Sequence, residues 1–106
     1  MELMRFFEKV EGEADLKGIA VGWNDEVSDN VFIVEYVPNG FKTRLPFESV
    51  KQCKWEDLRA VIAGEREPNV LYHMARIVGY YSRVENWNKS KIGELHDRHV
   101  GNYQVA

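Results

Sequence analysis

The sequence predicts an α+β fold: a small antiparallel β-sheet or barrel, then a helix, then a strand–loop–helix tail. Three observations carry that prediction. A β-branched and aromatic run, Val31 to Val37, is closed by Pro38-Asn39-Gly40 and followed by an alternating segment, which is the pattern of a hairpin. Trp55, Leu58, Val61 and Ile62 recur at i, i+3, i+6 and i+7, which places them on one helical stripe. The 106 residues are 44% hydrophobic and 12% aromatic, enough apolar material for a real core.

Taken in order, Met4 to Val10 reads as a strand, with a short helix as the alternative. Gly18 to Trp23 is a short apolar strand, ended by the polar clusters Asn24-Asp25-Glu26 and Ser28-Asp29-Asn30. Val31 to Val37 is a buried strand. Asn39-Gly40 is a hairpin signal because both residues tolerate positive φ. Phe41 to Leu45 alternates apolar and polar residues, as a half-exposed return strand does. Ser49 to Gly64 is helical, and Gly64 supplies a natural stop. Glu65 to Asn69 is charged and broken by Pro68, so it reads as a linker. Val70 to Tyr81 is extended. Asn86 is a candidate cap for a helix running from Trp87 to about His99, with Ile92 and Leu95 facing inward and Trp87 near the first turn. Gly93 weakens that helix by ~1 kcal/mol relative to alanine.

This divides the chain into a β module with a C-terminal helix over residues 1–64, a linker at 65–69 and a tail at 70–106, which can also pack as one domain with the module. Charge follows the same division. Residues 1–68 carry 14 acids and 9 bases, a net of −5, whereas residues 69–106 carry 3 acids and 5 bases, a net of +2. The basic tail suits an acidic protein surface or a phosphate. The net charge of −3 argues against a dedicated nucleic-acid binder. A chain of this length buries only ~60–68% of its unfolded surface, which leaves little room for a deep substrate pocket.

The single cysteine, Cys53, excludes an internal disulfide and a cysteine-rich zinc site, and points to a reducing compartment. No signal-peptide core and no apolar run near ~20 residues is present, so a cytoplasmic protein is expected. Cys53 lies beside Lys51 and Lys54, which could lower its thiol pKa; a small buried hydrophobe is the plainer role. His96 and His99, three apart, share a helix face, but a closed zinc site needs four ligands, so no metal is expected. Tyr72, Tyr80, Tyr81, Trp87 and Tyr103 interleave with Arg76, Arg83, Lys89, Lys91 and Arg98. Rings beside guanidinium groups can grip single-stranded nucleic acid, but they are also the residues that dominate protein interfaces. No nucleophile–base pair or phosphate-cradling glycine loop stands out.

The segment Arg76-Ile77-Val78-Gly79-Tyr80, followed by Trp87-Asn88-Lys89-Ser90-Lys91 and Glu94-Leu95-His96-Asp97-Arg98, resembles the extreme C-terminal tail of anaerobic (class III) ribonucleoside-triphosphate reductases. The resemblance spans residues 76–98, about a quarter of the chain. It implies that Gly79 is a radical carrier. A glycyl Cα radical is stabilised by the flanking amide and carbonyl and is unhindered by a Cβ. Arg76 and Tyr80 match the positions that flank it. Trp87, Asn88, Lys91 and Arg98 match the helix that seats the tail, and Tyr81 belongs with them as a contact residue. Complete reductases precede this tail with a four-cysteine zinc site and a nucleotide-holding barrel, and residues 1–75 have neither the cysteines nor the length. The resemblance therefore implies a small accessory or interaction protein, not catalytic alone and needing no cofactor of its own. Its partner would be a reductase, its activase or another complex. The alternatives are a detachable glycyl-radical subunit, similar to the spare-part subunits of pyruvate formate-lyase, and a viral or cellular adaptor that inhibits a larger assembly.

Overall fold

The computed structural model describes residues 1–68, 72–77, 87–89 and 92. The elements in chain order are α1 (Leu3–Gly12), β1 (Leu16–Asn24), β2 (Asp29–Tyr36), β3 (Phe41–Pro46), α2 (Phe47–Gln52), α3 (Trp55–Ala63) and β4 (Ala75–Ile77). The strands form one antiparallel sheet in the order β1-β2-β3-β4. The α+β architecture is as the sequence predicts, and among the described strands β1 and β4 are the outermost, so it is a sheet with edges.

Two element assignments differ from the sequence reading. Met4 to Val10 lies within a helix, α1, and is not a strand. Leu3, Phe6, Phe7 and Val10 fall at i, i+3, i+4 and i+7; Phe6, Phe7 and Val10 are buried, with Leu3 packed beside them. Strand alternation would have sent Phe6 and Phe7 to opposite faces. The helical region from Ser49 to Gly64 is two helices, because Cys53 (φ −114°, ψ 160°) and Lys54 (φ −90°, ψ 154°) are extended between them. The break lets Phe47 and Val50 on α2 and Leu58, Val61 and Ile62 on α3 all reach the same core. Gly64 ends α3 in the left-handed region (φ 82°), donating its N–H to the carbonyls of Ala60 and Val61, as expected of a C-terminal glycine.

Both hairpins have four-residue loops, between the pairs Asn24–Asp29 and Tyr36–Phe41. In the second, only Gly40 takes positive φ (73°); Asn39 instead accepts the Phe41 N–H on its side-chain oxygen at 2.9 Å. In the first, Ser28 occupies the position equivalent to Gly40 with φ 51°, and Asn24 Oδ1 accepts the Glu26 N–H at 3.0 Å. The hairpin that the Asn-Gly pair signals is thus present, with a longer loop and one left-handed residue per loop.

The main core lies between the sheet and the helices. Phe32, on the central strand β2, is its hub: fully buried, with Phe6 and Phe47 rings each 4.7 Å away, centroid to centroid. Trp55 meets Phe6 edge-on at 5.9 Å. The opposite face of the sheet carries a smaller buried cluster of Ile19, Ala20, Val31 and Ile33, with Val27 and Ile77 against it. β2 is therefore apolar on both faces over Val31–Val34, which explains its unbroken β-branched run. The tail joins this core. β4 pairs with β3, Met74 and Ile92 are buried, and Trp87 packs on the core edge. Lys89 and Ile92 are helical, in agreement with the expected tail helix; its Asn86 and Leu95 lie outside the described residues.

Candidate functional site

The described members of the reductase-like segment are Arg76, Ile77, Trp87, Asn88, Lys89 and Ile92; Gly79, Tyr80, Tyr81, Lys91 and Arg98 lie outside the described residues. Arg76 sits in β4, opposite Thr43 of β3. Its guanidinium donates to the carbonyl of Val61 at 3.4 Å and lies 5.0 Å from the centroid of the Phe41 ring, which is 47% exposed. A cation at the carbonyl end of α3 opposes the negative end of the helix dipole, and the open space over Gly64 gives it room to lie there. Arg76 Nε and the neighbouring Thr43 Oγ1 are both buried without a hydrogen-bond partner. Arg76 thus ties β4, β3 and α3 together.

Trp87 is the second anchor. Its ring stacks on Phe7 of α1 (centroids 4.5 Å apart, planes 8° apart) and is tilted 55° against Phe32 at 5.6 Å. On its other side it covers Gly18 of β1 so closely that a Cβ at Gly18 would lie inside the indole ring. The strand register shifts between Gly18 and Ala20, and this bulge falls where the indole lies. Trp87 Nε1 is buried with no hydrogen-bond partner. Sequence reasoning gave Trp87 a place near the first turn of the tail helix but missed Gly18 as its seat. An isolated glycine within a strand pattern signals a bulge or a close approach, so the cue was present. Asn88 and Lys89 are exposed. Tyr72 and Trp87, two of the five tail aromatics, are packed against the core, so neither presents an open face for stacking a base.

The remaining chemistry-bearing residues are dispersed. Burial pushes the Cys53 thiol above its ordinary pKa, Asp57 adds to the rise, and the Met1 ammonium offsets part of it. The expectation that Lys51 and Lys54 lower this pKa is overturned; their charges are not among its causes, and desolvation outweighs the attraction. The Met1 ammonium donates to the carbonyls of Val50, Lys51 and Cys53 at 3.0–3.3 Å, joining the start of α1 to the end of α2. A groove of about 470 Å³ runs between the first hairpin, α2 and the Tyr72-His73 turn. Asp29 on its wall accepts the N–H groups of Asn30 and Glu48, and the Ser49 hydroxyl donates to the Tyr72 carbonyl. Two residues of this groove, Ser28 and His73 (φ 58°), have left-handed backbones. Among the described residues no group of three His, Cys, Asp or Glu side chains is placed to hold a metal ion, and no helix is long and apolar enough to cross a membrane.

No protein-family model, no curated protein and no solved structure matches this chain.

Proposed function

We propose that this chain is a small accessory protein that acts by contact with a larger protein and presents a segment resembling the tail of an anaerobic ribonucleoside-triphosphate reductase. One observation carries the reading: Arg76 and Trp87, the two described motif residues that bracket residues 78–86, are both fastened to the body by packing and hydrogen bonding. The body thereby supplies by packing the anchorage that a zinc site supplies in complete reductases. Exposed Asn88 and Lys89, next to the buried Trp87, offer polar groups to a partner. The partner is a reductase, its activase or another complex of the cytoplasm. The test is affinity capture from anaerobic cell extract. Recovery of a reductase or its activase supports the reading. Recovery of an unrelated assembly favours the adaptor role, and recovery of nothing above background removes both.

A detachable glycyl-radical subunit is the second reading, favoured by the position of Gly79 between the two anchors. It requires a doublet EPR signal after anaerobic incubation with a radical-SAM activase, and oxygen-dependent cleavage of the chain at Gly79. A silent spectrum with an intact chain eliminates it.

A further inference from the structure

The strand registers place four residues on one line across the sheet: Gly18 pairs with Val34, Val34 with Thr43, and Thr43 with Arg76. Arg76 and the seat of Trp87 therefore occupy the two ends of a single cross-strand row. Directly paired residues share a face, and Val34, in the row, belongs to the main core on the helix side. The row's ends are about 14 Å apart, three strand spacings of ~4.8 Å. The nine residues 78–86 have a contour of about 30 Å, so both anchors can be occupied together without stretching the chain.

We infer that this row is a positioning device for the segment between Ile77 and Trp87, and that Gly18, which lies outside the recognisable motif, is its key residue. Each end is built differently. At the β4 end the ladder to β3 and the Arg76 guanidinium fix the chain. At the β1 end there is no ladder to the tail; the indole is held by a ring on one side, a bare backbone on the other and Phe32 at its edge. Only glycine allows that seat, since any side chain at position 18 would occupy the volume of the indole. Fixing both ends removes chain entropy before any partner arrives, so a partner meeting the segment has less disorder to overcome. The β1 end is also the releasable one. It depends on one side chain whose N–H has no partner, whereas the β4 end depends on a strand. This inference deepens the accessory reading and rests on it for its purpose, but its physical content concerns the isolated chain.

The experiment compares hydrogen exchange of the Trp87 indole N–H and of the Val31–Val34 amides in the wild-type chain and in Gly18→Ala. The expected result is selective: the indole N–H exchanges at least ~10-fold faster in Gly18→Ala, while the β2 amides stay within about 3-fold, because only the tail end opens. Phe7→Leu, which removes the stacked ring but leaves Gly18 bare, is read in the same way. Uniform acceleration of all probes, or failure of both variants to fold, would show Trp87 to be ordinary core and overturn the inference. An unchanged indole would overturn it as well. Selective release with no partner captured by the wild-type chain leaves the device standing and sinks the accessory reading; capture with uniform exchange does the reverse.

Discussion

Ser28→Gly is expected to stabilise this protein, and its mirror experiment, Gly40→Ala, to destabilise it. The two positions are equivalent: each is the fourth residue of a four-residue hairpin loop, and each is left-handed, Ser28 with φ 51° and Gly40 with φ 73°. For an L-residue with a Cβ the left-handed region costs roughly 1–2 kcal/mol. Glycine escapes that cost but brings about 0.4–1 kcal/mol of extra unfolded-chain entropy. The net expectation for Ser28→Gly is a gain of about 0.5–1 kcal/mol, and for Gly40→Ala a loss of about 1 kcal/mol. The second substitution isolates the backbone effect, because a Cβ at Gly40 meets nothing within 4 Å. At this chain length 1 kcal/mol moves Tm by about 4–8 °C, so the pair should separate clearly in thermal or urea unfolding. A neutral Gly40→Ala would refute the backbone argument outright. A destabilising Ser28→Gly, with Gly40→Ala behaving as stated, would mean that the Ser28 hydroxyl makes a contact in the groove worth more than the strain.

Phe32→Ala should cost about 3–5 kcal/mol, because the ring is fully buried and touches Phe6, Phe47 and Trp87 together; equilibrium unfolding in urea measures it. Arg76→Lys should cost about 1 kcal/mol by the same assay, since an ammonium keeps the charge at the end of α3 but cannot lie flat on Phe41 while reaching Val61. Thr43→Val removes a fully buried hydroxyl that has no partner and keeps its shape, so it should be neutral or stabilising by up to about 1 kcal/mol, where a clear loss would reveal a hydrogen bond. Cys53 should alkylate more slowly than free cysteine at neutral pH, and Asp57→Asn should speed it by removing one of the two causes of the raised pKa. The sign for stability follows: the folded state holds the thiol proton more tightly, so this contribution is intact below the ordinary thiol range and is lost as pH rises through the elevated folded value.

The sheet was legible because its signals are local. The Val31–Val37 run, the turn residues after it and the alternation of Phe41–Leu45 each specify a neighbour only a few positions away, and the register confirms them as β2 and β3. The first helix was misread although its template was complete. Two adjacent phenylalanines raise β propensity, and the Leu3–Phe6–Phe7–Val10 spacing shows only when Leu3 is counted. The split between α2 and α3 depends on tertiary packing: nothing in Cys53-Lys54 is a breaker by composition, and the chain leaves the helical region there so that two short stripes can both meet the core. The site was half legible. Arg76 and Trp87 were singled out from motif alone, but their seats, Phe41, Val61, Phe7 and Gly18, are 12 to 80 residues away in sequence, beyond any periodicity.

A middle strand that is oily on both sides has a consequence for the life of the newly made chain. Val31-Phe32-Ile33-Val34 carries no charge and no proline, and a segment of that composition left in water pairs readily with its own kind in another molecule. Asp29 and Glu35 stand at either end as charged gatekeepers. The more effective safeguard is speed: each flanking strand is one tight loop away, so the vulnerable ribbon can be sandwiched within microseconds, long before the distant tail must find its place.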